Sequence, residues 1–453
     1  MKHAVEIGTR VEMFVDDWLI EERKGTKLKL NPPVKREAVL VLDRPWEDSQ
    51  GCFFSVIPEK DRIRLYYRGA CLRDTDDDTQ VTCYAESEDG IHFERPSLGL
   101  YDHEGSKDNN IMLVGTDAHN FAPFLDASPD APPQLRFKAI AGVGPKAQSI
   151  FLNKGHLNGY YSSDGIHWHK WDEPIIYNGA FDSLNVAFWD TNVKEYRCYS
   201  RYFEDKVRSV QVASSGDFVH WGEHQPNRYA EGVPLEQFYT NATVQCPGAE
   251  HIYLSFPMRI EVERKKNRKS MYPGVSDAVM MSSRDGHHWD RPFMEAWVRP
   301  GTDPNNWIDR NQMVARGIVE TAPDEFSLYI SEHYRCNDNR LRRLTVRKHG
   351  FASVNADYAG GEFITRPVVF SGNRLLLNYS TSAVGSVKVE VQDASGVPID
   401  GFSLHDMDDM YGDSIAEAVK WNGGHSLEEL KGEPVRFRFV LKDADLFSIK
   451  TAN

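Results

Sequence analysis

Ser87-Glu88-Asp89-Gly90-Ile91-His92-Phe93 decides the reading of this chain, because it recurs. Ser162-Ser163-Asp164-Gly165-Ile166-His167-Trp168 repeats it almost word for word, and Ser282-Ser283-Arg284-Asp285-Gly286-His287-His288-Trp289 is a third copy. Ser214-Ser215-Gly216-Asp217-Phe218-Val219-His220-Trp221 is a looser fourth, with Gly and Asp exchanged, and Lys348-His349-Gly350-Phe351 is a worn fifth. Each copy follows a short alternating stretch such as Val81-Thr82-Cys83-Tyr84-Ala85, which reads as a strand. An Asp-Gly pair after a strand supplies the positive φ angles that a tight turn needs. The His and the aromatic behind it are expected to open the next strand and fill the space between layers. A β unit repeated every few tens of residues indicates a solenoid, propeller or array, and an all-β unit points to a propeller.

Working outward from the turns, five units emerge. Their first strands fall at 52–57, 119–126, 181–190, 238–244 and 308–313, each behind a polar cluster. Their second strands, rich in Tyr and Phe, fall at 63–69, 135–142, 196–201, 251–259 and 326–334. Five is within the range of about four to eight blades with which propellers close. Past residue 357 the turns stop and longer alternating strands appear at 374–379, 386–391 and 435–441. The fold expected is therefore all-β: a five-bladed β-propeller over 1–356, with 1–40 as a lead-in, followed by a β-sandwich over 357–453.

Composition removes several function classes. A net charge of −14 opposes binding to a phosphate backbone, so no nucleic acid is expected. The basic run 264–269 reads as a solvated loop. No stretch of about 18 apolar residues occurs, and the first residues lack an apolar signal core, so a soluble cytoplasmic protein is expected, with no membrane contact. The six cysteines, Cys52, Cys71, Cys83, Cys198, Cys246 and Cys336, form no paired motif and read as free, mostly buried thiols rather than as a metal site. GxSxG, a GxGxxG opening a helix and a P-loop are all absent, so no cofactor is implied. The aromatic stock, Trp 10, Tyr 19 and Phe 23, serves the core first, yet flat rings also suit sugar faces.

In a propeller the inner strands bring side chains from every blade to one funnel, and that mouth is where chemistry is expected. Aligning the units brings Asp48, His119 with Asn120, Asp182, Tyr239 with Asn241, and Asp309 to matching places. Arg68, Arg201 and Arg259 close three second strands; Glu332 and His333 close the fifth. Sugar hydrolysis needs two carboxyl groups across the scissile bond. Asp48 and Asp182 suit the ionised base or nucleophile, and Glu332 suits an acid whose pKa burial can raise. Glu47, Asp16, Asp17, Glu236 and Asp309 compete with them. Arg68, His119, Asn120, Arg201, Tyr239, Asn241, Arg259, Asp309 and His333 are the substrate-binding candidates.

Five β units with a C-terminal β domain resemble the architecture of glycoside hydrolase families 32 and 43. The resemblance implies a catalytic Asp on the first blade, nearest to Asp48, and a second on a later blade, nearest to Asp182. It implies an O-glycosidic substrate, an oligosaccharide or glycoside; a funnel-shaped pocket leads us to expect cleavage from the end. The family 32 signatures Asn-Asp-Pro-Asn, Arg-Asp-Pro and Glu-Cys are absent, which leaves the sugar open. The Ser-x-Asp-Gly-x-His-Trp turns are similar to the Asp-box of sialidases, which implies a structural turn remote from the pocket. Two alternatives accompany this reading: a non-catalytic carbohydrate-binding propeller, and a sialidase- or lyase-like enzyme for acidic sugars. Convergence of several arginines on one point would favour the second.

Overall fold

A computed structural model describes residues 4–70, 80–143, 150–267, 270 and 272–453. Cys71, Arg268 and Lys269 lie outside the described residues. The chain forms two compact units. One comprises Pro33–Ala322 with Phe326–Thr345; the other comprises Met1–Pro32, Pro323–Glu325 and Val346–Asn453. This division differs from the expected boundary at 356/357, because the N-terminal strands pair with the C-terminal ones rather than leading into the blades.

Among the described residues the first unit is a five-bladed β-propeller of five mainly antiparallel blade sheets, with a further two-stranded sheet, Met258–Glu261 and Val275–Ala278. Blade I orders Cys52–Pro58, Ile63–Ala70, Val81–Ser87 and Ile111–Val114 from its first strand to its last. Blade II runs through Ala122–Leu125, Phe137–Ala141, Gly155–Ser162 and His169–Gly179, and blade III through Val186–Asp190, Glu195–Glu204, Val207–Ser215 and Gln225–Pro226. Blade IV uses Val244–Cys246, Ala249–Ser255, Met281–Ser283 and His288–Asp290, edged by Arg228–Tyr229. Blade V takes Val319–Ala322, Glu325–Glu332 and Arg340–Arg347 from the end of the repeat, and its fourth strand is Val34–Val41. The lead-in therefore closes the ring: Thr345 pairs with Val34 and Arg340 with Val41.

The recurring turn sits behind the third strand of blades I to IV, and one bonding scheme repeats. In blade II the Asp164 carboxylate accepts from the backbone N–H groups of Ile166 and His167 at 2.8 Å each and pairs with His167 Nδ1 at 2.8 Å, while Ser162 Oγ accepts from Gly165 N–H at 2.9 Å. Asp89, Asp217 and Asp285 do the same. Only the Gly enters the left-handed region (Gly90 φ 75°, Gly165 φ 77°, Gly286 φ 74°); in the exchanged copy Phe218 takes that place at φ 71°. The turn histidines do not pack between layers as expected. His92, His167, His220 and His288 are 62–87% exposed and serve as partners of the turn carboxylates.

At three junctions between blades the link is a tyrosine. Tyr66 donates to Gly165 O at 2.9 Å, Tyr199 to Gly286 O at 2.8 Å and Tyr329 to Gly90 O at 2.7 Å, each from a second strand to the next blade's turn. The same tyrosines pack edge-on against Trp168, Trp289 and Phe93, the aromatics that end those turns.

The second unit is a ten-stranded hydrogen-bonded sheet. The expected sandwich thus has its strands in one continuous network, because the long Arg374–Asp393 and Val435–Ala452 pair along most of their lengths, with a register shift between Thr381 and Ser386. Residues of the lead-in join it: Thr26–Leu30 pairs with Ala352–Ala356, and Val11–Met13 with the end of Val435–Ala452. Alternating positions bury Val387, Val389, Val391, Phe437, Phe439 and Leu441 in one core.

Candidate active site

At the entrance to three blades a non-glycine residue takes the left-handed region: Phe53 (φ 57°) in the first strand of blade I, Ala242 (φ 45°) shortly before that of blade IV, and Gln312 (φ 60°) before that of blade V. In blade I the pairing slips there, between Cys52 and Ser55. Such bulges re-aim neighbouring side chains, and held backbone strain gathers at functional sites. Counting back three residues from each gives Gln50, Tyr239 and Asp309 as equivalents. Asp48 therefore falls two residues outside the register assigned to it from sequence. Its carboxylate accepts from Gln50 N–H at 2.7 Å, shaping the turn before the first strand.

Asp182 is the carboxylate around which other candidates gather. Its Oδ1 accepts from His119 Nε2 at 2.9 Å, and its side chain keeps 40% of its surface open. Burial pushes this carboxyl up, but the hydrogen bond and charge of His119, with Arg201 and Arg310, outweigh it and hold the carboxyl far below the usual range. It stays ionised at any working pH. His119 Nδ1 lies 2.6 Å from Gln80 Oε1, so the imidazole is held at both nitrogens, and Arg68 Nη1 lies 3.2 Å from Nε2. Arg68 is held in turn by Gln50 O at 2.8 Å and lies over Phe53, 4.8 Å from its centroid. Phe53 stacks on Tyr239 at 6.3 Å.

Tyr239 is ringed by cations. The guanidinium carbons of Arg201 and Arg310 lie 5.2 Å from its ring centroid and that of Arg208 lies at 6.0 Å. Burial raises the Tyr239 phenol and Asp182 adds to it, against the pull of Arg310 and Arg201. Tyr334, 3.5 Å from Arg310 Nη1, is pushed up to about 12 by burial. Both phenols keep their protons at neutral pH. Arg201 is 2% exposed; its Nε donates to Ala180 O at 2.8 Å, and its Nη2 has no partner among the described residues. A buried donor left so costs about 1–3 kcal/mol.

Of the sequence candidates, Arg68, His119, Asp182, Arg201 and Tyr239 come together here. Asp309 lies at the edge, held by Arg335 at 3.3 Å and by Arg310 at 3.7 Å. The others are engaged elsewhere. Asn120 is buried and donates to Gly142 O, Phe181 O and Ser183 O; Asn241 is buried and donates to Leu184 O and Tyr199 O. Both are ties to backbone rather than sugar ligands. Arg259 is bidentate to Asp277 at 2.7 and 2.9 Å and meets Glu236 at 2.9 Å, beside a separate cavity of about 820 Å³. His333 bridges Asp303 and Asp338 at 2.7 Å each.

Glu332 does not fit the role of acid. It is 2% exposed and bound by Lys35 at 3.1 Å, Arg340 at 3.2 Å and Arg342 at 2.6 Å. Burial raises its carboxyl, but Arg342 and Lys35 outweigh this and leave it below its ordinary value, so it holds no proton to donate near neutrality. Asp182 and Glu332 share no partner among the described residues. Sequence reasoning missed Arg208, Arg310, Tyr334 and Phe53. Arg310 stands next to Asp309 in the chain, which did not single it out, and Arg208, opposite Phe203 across a strand pair, gave no signal. No group of metal-ligating side chains occurs among the described residues, and none of the helices there is long and apolar enough to cross a membrane.

No protein-family model matches the chain, and no curated protein matches it by sequence. Among solved structures it is similar to an N-acetylgalactosamine deacetylase from F. plautii in complex with blood group B trisaccharide, at 12% identity and a TM-score of 0.45, over 71% of this chain and 95% of that one. It is similar to a glycosyl hydrolase from Bacteroides ovatus at 14% identity and a TM-score of 0.41, over 74% and 96%. A family 43 arabinoxylan arabinofuranohydrolase from Bacillus subtilis in complex with cellotetraose matches at 9% identity and a TM-score of 0.40, over 92% and 99%. Likenesses of this depth carry no function over to this chain.

Proposed function

We propose that the propeller is a glycosidase whose pocket is built on Asp182. One observation carries the reading: an ionised, partly open carboxylate lies among side chains from several blades, fixed by His119 and bordered by the aromatic rings of Phe53 and Tyr239. An ionised Asp suits attack on, or electrostatic support of, an oxocarbenium-like centre. His119 keeps its Nε2 proton on Asp182 and so orients the carboxylate. The proton for the leaving group must come from a side chain that retains one near neutrality, which favours the Tyr239 and Tyr334 hydroxyls over Glu332. Asp48, which precedes the first strand of blade I, is the second carboxylate to test beside Asp182.

The test is release of nitrophenol from a panel of nitrophenyl glycosides, repeated with Asp182→Asn and Asp48→Asn. The expected result is turnover of at least one glycoside, reduced about a thousandfold in Asp182→Asn with an unchanged melting temperature. Full activity in Asp182→Asn would remove the proposal. Sugar binding with no turnover on any glycoside would leave a carbohydrate-binding propeller in its place.

A further inference from the structure

We infer that the sugar bound beside Asp182 carries an anionic substituent, a carboxylate or a sulfate ester, gripped by Arg201, Arg208 and Arg310; this rests on the reading of the pocket as a sugar site. Three guanidinium groups within 6.0 Å of one ring centroid repel each other unless anions intervene. The nearby anions do not suffice. Asp182 is shared between His119, Arg201 and Arg310, and Asp309 is bound by Arg335 as well as Arg310. Neither Arg201 nor Arg208 has an ion pair with a carboxylate among the described residues. Several arginines elsewhere in the same unit are matched: Arg259 meets Asp277 and Glu236, Arg291 meets Glu236, and Arg343 meets Glu37.

The donors are also unfilled. Arg201 is almost fully buried, yet among the described residues its Nη2 has no acceptor, and Arg208, held through Nη1 by Gln237 at 2.9 Å, has none at Nε. A neutral hydroxyl could fill one such donor but would leave the mutual repulsion standing. A planar carboxylate or a sulfate group answers both needs, because a guanidinium offers paired N–H donors to two oxygens at once. The chain carries a net charge of −14, so this concentration of positive charge runs against the molecule as a whole. It therefore also selects the incoming sugar by sign.

Calorimetric titration of the full chain with a hexuronate, a sulfated hexose and the parent neutral hexose tests this. An acidic sugar should bind at least about tenfold more tightly than the neutral one, and the preference should shrink as sodium chloride is raised. Whichever acidic probe binds more tightly identifies the substituent. Arg201→Ala and the half-buried Arg208→Ala should each weaken acidic binding by about 10- to 100-fold while neutral binding hardly moves. A thermal melt of each variant checks that it folds, and the half-buried Arg208 provides a milder substitution should Arg201→Ala fail. Equal affinity for acidic and neutral sugars would overturn the inference even if glycosides are cleaved. Tight acidic binding without cleavage would instead uphold it and remove the glycosidase reading.

Discussion

The blade turns and the pocket use the same pair of side chains for different ends. In the turns an Asp meets a His at 2.7–2.8 Å; in the pocket Asp182 meets His119 at 2.9 Å. The turn pairs are local, three residues apart, and their histidines are mostly in water. The pocket pair spans two blades, with a histidine only 17% exposed and two arginines close to the carboxylate. An Asp–His contact therefore says little alone. Its surroundings decide whether it shapes a turn or prepares a charge for chemistry.

The widest separation between the two should come from matched substitutions. Asp182→Asn is expected to remove about three orders of magnitude of turnover at constant stability. Asp164→Asn should leave turnover intact. A variant of Asp164 that lost activity without unfolding would break the distinction.

Glu332→Ala marks a different kind of acidic residue. Removing it leaves Lys35, Arg340 and Arg342 facing one another around a buried site, which should cost about 3–5 kcal/mol in urea unfolding. Loss of turnover with unchanged stability would instead restore Glu332 to the chemistry. Tyr199→Phe should cost about 1 kcal/mol, the worth of one hydrogen bond between blades, read by the same method.

The smallest effect is on acid stability. The Asp164 carboxyl lies well below its ordinary value: burial opposes this, but His167 and the turn amides outweigh it. A carboxyl depressed by folding stabilises the fold above its unfolded pKa of about 3.9, and that stability fades as pH falls toward the folded value. The stability gap between wild type and Asp164→Asn should thus narrow below about pH 3.9 and stay flat above it. A gap that widened in acid would reverse this assignment.

These contrasts also mark where the sequence could be read. A turn repeated with small variations announces blades, because each blade solves one packing problem in one way. The same argument applied to Asn120 and Asn241 would have identified them as ties between backbones, since the same residue type recurs at equivalent places. His119, Asp182 and Tyr239 were legible because each differs from its counterparts in the other blades, and Arg68 and Arg201 because an arginine closes their second strands. Arg208 and Arg310 were not, since their approach to Tyr239 depends on how strands from different blades meet. Arg259 has the same place in its blade as Arg68 and Arg201, yet Asp277 lies opposite it across the strand pair and captures it.

The fourth strand of blade V has a consequence for biosynthesis. Val34–Val41 leaves the ribosome before any blade, whereas its partner Arg340–Arg347 emerges after all the others. Until then it is an unpaired β edge, the kind that recruits foreign strands. Its sequence, Val34-Lys35-Arg36-Glu37-Ala38-Val39-Leu40-Val41, places three charges in a row along the first half of that edge. Those side chains keep the waiting strand solvated. The ring is then completed once, after the fifth blade exists to receive it.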